Sequence, residues 1–166
     1  MIIKGFKAFY RDMKNNYGVK YEEGRTYYAK NAPIFGLNGN GFHLCKNIED
    51  TFRFINDSKP QVAKVIAKGK IVEGRDDYNS YFNMYASTVI KIEHILSREE
   101  ITDEICKRSV YGVIRAIIYG YDFTEEEIEI IRKKFKYNKS LEKNIDYYIN
   151  GNKDAFSIQK RKMLKR

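Results

Sequence analysis

Apolar and polar residues alternate with period two over residues 62–72. Ala63, Val65, Ala67 and Ile71 fall on one face, and Lys64, Lys68 and Lys70 fall on the other with Val62 and Ile66 between them. Successive strand side chains point to opposite faces, so this spacing predicts a strand with one buried side. Residues 87–95 repeat the pattern, with Thr88, Ile90, Ile92 and His94 on one face. That register predicts His94 to be a hydrogen-bonded core histidine. Residues 2–9 read as an opening strand. Residues 26–29 and 41–45 read as short strands separated by a loop holding Pro33, Gly36, Asn38, Gly39 and Asn40. Asn47 stands where a helix N-cap belongs, with Asp50 three residues on. Ile48, Phe52 and Ile55 then follow at helical spacing, which predicts a short helix over 48–57 closed by Pro60.

Beyond residue 96 the period changes to 3.6. Ser97 with Glu100 fits a capping box, and Val110, Val113, Ile114, Ile117, Ile118 and Tyr121 form a stripe that carries a helix to about Gly120. Thr124 with Glu127 is a second capping box before Ile128, Ile131 and Phe135. Ser140 is a candidate cap for a further helix bearing Leu141, Ile145 and Tyr148, with Gly151 as its stop. The expected fold class is therefore α+β, a small mixed or antiparallel sheet with one short helix, followed by a C-terminal helical appendage. The expected organisation is an α+β domain over 1–96, a helical appendage packed on it over 97–151, and a basic tail over 152–166.

Composition narrows the class. A chain of 166 residues suits one domain, or one domain with an appendage. Its two cysteines, Cys45 and Cys106, form no Cys-x-x-Cys pair and no disulfide framework, which fits a reducing compartment. The opening residues, Met1 to Phe6, lack the apolar core of a signal peptide, and no apolar run approaches a membrane span. The expectation is a cytoplasmic protein with no membrane contact.

Charge changes the picture further. There are 31 Lys and Arg against 22 Asp and Glu, a net charge of +9. Lys160, Arg161, Lys162, Lys165 and Arg166 form a tail without acids, and Arg132, Lys133, Lys134, Lys136 and Lys139 form a second patch. Such clusters attract polyanions, nucleic acid above all. A Lys-, Asn-, Ile- and Tyr-rich composition also follows from an A/T-rich genome. The acids Glu125, Glu126, Glu127 and Glu129 open the helix whose end carries the second patch, an order that complements the helix dipole. Tyr78, Tyr81, Phe82 and Tyr85 lie in the polar connection between the two long strands. They read either as aromatic anchors for bases or a protein partner, or as packing for a long loop.

No catalytic constellation is legible. His43 and Cys45 share a strand face while Phe42 and Leu44 point the other way. Their spacing along a strand is awkward for a Cys–His dyad, and a metal would lack ligands. The expected catalytic and metal residues are none. Asp76 and Asp77 read as a solvated turn rather than a cation site.

As a set, Lys4-Gly5-Phe6, Tyr21-Glu22-Glu23-Gly24-Arg25-Thr26-Tyr27 and Gly41-Phe42-His43-x-Cys45 carry a resemblance. Over about residues 2–100 the chain resembles a small domain common in phages and prophages. Gly41, Phe42, His43 and Cys45 are its structural signature. The resemblance implies a mobile-element protein acting inside a bacterium, and implies no reaction. The strand order is also distantly similar to ADP-ribosyltransferases. That likeness implies NAD as cofactor, Lys4 at the position of the NAD-gripping residue and Glu93 as the acid acting on the ribose. The leading expectation is a cofactor-free, non-enzymatic binding protein that engages a host or defence complex handling nucleic acid, as anti-CRISPR proteins do. Its partner would be a protein or ribonucleoprotein. The alternatives are the NAD-dependent transferase and a nucleic-acid-binding protein of little sequence preference.

Overall fold

The computed structural model describes residues 1–35, 39–74 and 83–151. The tail residues Lys160, Arg161, Lys162, Lys165 and Arg166 and the loop residues Tyr78 and Tyr81 lie outside the described residues. The fold is α+β: a five-stranded antiparallel sheet followed by helices. The strands are β1 (Ile3–Phe9), β2 (Thr26–Tyr28), β3 (Phe42–Cys45), β4 (Gln61–Glu73) and β5 (Met84–Ile95). Their pairings close on themselves, β5 with β3, β3 with β1, β1 with β4 and β4 with β5, while β2 pairs with the middle of β5.

Four strands enclose little interior room, and the chain meets this with small residues. Ala63 and Ala67 of β4 face inward with Val65, Ile90, Ile92, Leu44 and Phe9. The seam between β1 and β3 is a single residue pair, Phe6 opposite Cys45. A Cβ at Gly5 would stand 2.5 Å from the Cys45 carbonyl oxygen, and one at Gly41, where φ is +89°, 2.6 Å from that of Ser87. Two of the three glycines in the resembling motifs, Gly5 and Gly41, thus sit where backbones meet closely.

The second core lies between the sheet and the helices. α1 (Ile48–Thr51) continues into a 3-10 turn (Phe52–Phe54), so the helix expected over 48–57 is shorter. Asn47 makes no side-chain cap bond to the backbone and instead donates to Asp50 at 3.0 Å. α2 (Arg98–Arg108), α3 (Val110–Ile118), α4 (Glu125–Lys134) and α5 (Lys139–Ile145) follow. Both capping boxes form, Ser97 with Glu100 and Thr124 with Glu127. The helix expected to run unbroken to Gly120 is divided at Ser109, whose extended backbone separates α2 from α3 and whose hydroxyl accepts from Tyr111 N–H. The break lets α3 fold back so that Ile105, Val113 and Ile117 share one core with Ile48 and Phe52. α5 is capped by Asn138 rather than Ser140.

His94 overturns an expectation. Its side chain is 44% exposed, not buried. The reason is a bulge. Lys64 opposes His94 but Val65 opposes Ile92, so Glu93 is an extra residue and the alternation flips after it. His94 turns outward, between Glu100 (3.0 Å) and Glu23 (3.3 Å). These carboxylates raise its pKa, the hydrogen bond that His94 donates to Glu100 most of all.

Candidate functional site

After its single contact with β3, β1 pairs with that strand no further, and a cleft of about 180 Å³ opens between them. Its walls include Lys7, Tyr10, Lys14, Tyr17, Phe42 and His43. Lys7 lies on the inner-face parity of β1, with Ile3, Gly5 and Phe9, and is half-buried. Its Nζ donates to the His43 carbonyl at 3.0 Å and stands 5.7 Å from the centre of the Phe9 ring. No carboxylate pairs with it among the described residues. Burial lowers its pKa to about 8.

His43 belongs to the rim. Its ring packs edge-on to Phe35 at 5.0 Å and is hydrogen-bonded by the backbone of Ile34 and Gly41. Desolvation, then the charge of Lys7, lowers its pKa to about 4, so it is neutral at pH 7. Cys45 is buried, and burial followed by the charge of Asp50 pushes its thiol well above the ordinary range. A thiol so held is a poor nucleophile. His43 therefore ties Ile34 and Phe35 to β3, and Cys45 fills space behind it. Cys45 and Cys106 are both free and buried.

Behind this seam lies a second charged cluster, which the sequence reading missed. Glu49 and Asp50 on α1 are 1% and 2% exposed. Arg108 meets Glu49 at 3.3 Å and Arg115 meets Asp50 at 2.5 Å. Burial raises the Glu49 pKa. These pairs tie α1 to α2 and α3. Adjacent acids inside an apolar helical stripe (Ile48, Phe52, Ile55) were the available signal. For Lys7 the signal was a lysine at inner-face parity.

The outer face of the sheet carries a different chemistry. Paired residues of antiparallel strands share a face. Lys4, Ile66, Lys91 and Thr26 form one row across β1, β4, β5 and β2, and Lys68, Val89 and Tyr28 form the next. Tyr28 is 75% exposed. Lys68 and Lys91 have no carboxylate partner among the described residues. Lys4 stands 4.0 Å from Glu93, and Lys64 is neutralised by Glu104 at 2.7 Å. Lys4 and Glu93 are thus neighbours on this open face and do not line the cleft.

The 132–139 patch is partly spent on its own helices. Arg132 donates to Glu142 (3.0 and 3.1 Å) and lies 3.9 Å from Glu129, and Lys133 is 3.9 Å from the same Glu129. Lys134 ends α4, and Lys136 follows in a left-handed conformation. Tyr85 lies half-buried in β5 against the inner core, with Lys46 5.9 Å from its ring. Among the described residues no three His, Cys, Asp or Glu side chains gather as a metal site would require, and no helix is long and apolar enough to cross a membrane.

Comparison with known proteins places the chain without assigning a reaction. No curated protein and no solved structure matches it significantly. One family model covers residues 3–104, from β1 into α2, so the closed sheet, the cleft and the α1 carboxylates fall inside it and α3 to α5 outside. The chain belongs to the family described as Domain of unknown function (DUF7666).

Proposed function

We propose that this chain is a non-enzymatic binding protein, encoded by a mobile element and acting in the bacterial cytoplasm, that occupies a host or defence complex handling nucleic acid. The observation that supports this reading is the outer sheet face. Lys4, Lys68 and Lys91 stand there in adjacent rows with Tyr28, and Glu93 is the acid beside Lys4. Cations interleaved with an exposed aromatic suit a phosphate backbone and a base or a flat protein surface. The tail from Lys160 to Arg166 adds five charges of the same sign. The partner is a ribonucleoprotein or its nucleic acid, and the mechanism is occupancy.

Fluorescence anisotropy with labelled RNA and DNA, at low and physiological salt, tests the reading. The full chain is expected to bind, to lose affinity steeply with salt, and to lose tenfold or more when Lys68 and Lys91 are both changed to Glu. Absence of binding at low salt, or affinity indifferent to the double reversal, would remove the sheet face from the account.

A further inference from the structure

We propose that the cleft between β1 and β3 binds the phosphate-bearing end of a nucleotide, with Lys7 as its counter-charge and Tyr17 against its base. A lysine drawn into an apolar strand face without a carboxylate is costly, because a desolvated charge needs an opposite one. The Lys7 ammonium meets the His43 carbonyl and the Phe9 ring, and among the described residues no Asp or Glu lines the cleft. Lys14, which also lines the cleft, likewise has no carboxylate partner among the described residues. The missing partner is therefore an anion.

The walls narrow the kind of anion. Tyr17 is 84% exposed, yet the backbone beneath it is well organised. The Asn15 side chain accepts from the N–H groups of both Tyr17 and Val19, Asn15 N–H donates to the Val19 carbonyl, and Gly18 N–H donates back to that of Asn15. The turn is thus built and carries a large aromatic ring at the cleft mouth, left in water. Tyr10 lies on the same cleft. A simple anion would use the lysines and leave these rings idle. A molecule with a phosphate and a planar base uses both, since tyrosine faces stack on any base. About 180 Å³ accommodates part of a nucleotide, with the remainder in solvent. The bound form is either a free nucleoside monophosphate or the phosphorylated end of a strand. This inference stands apart from the sheet-face reading, since it concerns a mononucleotide and different residues.

Isothermal titration of the full chain decides it. The probes are adenosine 5′-monophosphate, adenosine, inorganic phosphate, and an oligothymidylate with and without a 5′-phosphate. The monophosphate is expected to bind at least tenfold more tightly than adenosine or phosphate. Lys7→Met should weaken it tenfold or more without lowering the melting temperature. Tyr17→Ala, at a position too exposed to affect the core, should weaken it about fivefold. Tighter binding of the 5′-phosphorylated strand than of the monophosphate would identify a strand end as the ligand, and the reverse order a free nucleotide. No heat at millimolar monophosphate, a monophosphate no tighter than phosphate, or an affinity unmoved by Tyr17→Ala would overturn the proposal. The last of these holds even if Lys7→Met fails to fold.

Discussion

Two regions of this molecule bury charge, and they do so in opposite ways. On α1, Glu49 and Asp50 are almost fully enclosed, but each meets an arginine from the helices that follow. In the cleft, Lys7 is drawn into the sheet with no carboxylate facing it among the described residues. A buried charge with its partner supplied from within the chain is part of the architecture. A buried charge whose partner is lacking is a place where something from outside can bind. The α1 cluster therefore reads as a fastening between the family domain and its helical extension, and the cleft reads as a site.

The sharpest way to break that contrast is to remove one partner of a pair. Arg115→Ala leaves the Asp50 carboxylate buried with the Asn47 amide but without its arginine, and is expected to cost about 3–5 kcal/mol of stability. Urea unfolding reads it, and a loss below about 1 kcal/mol would mean that water reaches Asp50. Next in size is the seam that holds the two regions together. Gly5→Ala forces a methyl group against the Cys45 carbonyl, with an expected loss of about 1–3 kcal/mol in the same assay.

Lys7→Met should act with the opposite sign. It removes an uncompensated cation and should leave stability unchanged or raise it by about 1 kcal/mol, while nucleotide affinity falls. The pH dependence sharpens the point. Above pH about 8 the folded protein has released the Lys7 proton, whereas the unfolded chain keeps it until about 10.5. The Lys7 contribution to stability should therefore rise with pH across that window, opposed from about pH 9 by the buried Cys45 thiol, whose proton the unfolded chain loses first, so the difference between wild type and Lys7→Met reads it. The groups facing Lys7 are Cys45 and His43. On the acid side, unfolded His43 takes a proton near pH 6.5 and the folded ring only near pH 4, so stability should fall as pH drops through that interval. Thermal melts across pH 4 to 10.5 check both limbs.

The smallest effect is expected at His94, which lies on the surface. Its folded pKa is raised by Glu100 and Glu23, so its contribution is present below about pH 6.5 and disappears as pH rises through the folded value. His94→Ala should remove that slight slope and leave nucleotide binding untouched.

Much of this fold was legible in one dimension. The period-two run of β4, the two capping boxes and the change to helical period after residue 96 are local signals, and they form as local physics requires. Two of the misreadings share one cause, a single residue that resets a register. Glu93 bulges and turns His94 outward, and Ser109 extends and divides a helix. Neither residue type announces this, because the choice depends on what the neighbouring strand or helix presents.

The candidate sites divide along the same line. From the sequence alone came the basic balance, the Gly5 and Gly41 signatures and the outward lysines of β4, since each depends only on residue type and spacing. Only the tertiary structure decided that β1 and β3 meet at one pair and then part, leaving Lys7 without a counter-charge beside Tyr17. Only it decided that Glu49 and Asp50 would each find an arginine more than fifty residues away. Whether a charge is compensated depends on distance in space, and a chain read in order does not contain that distance until it has folded.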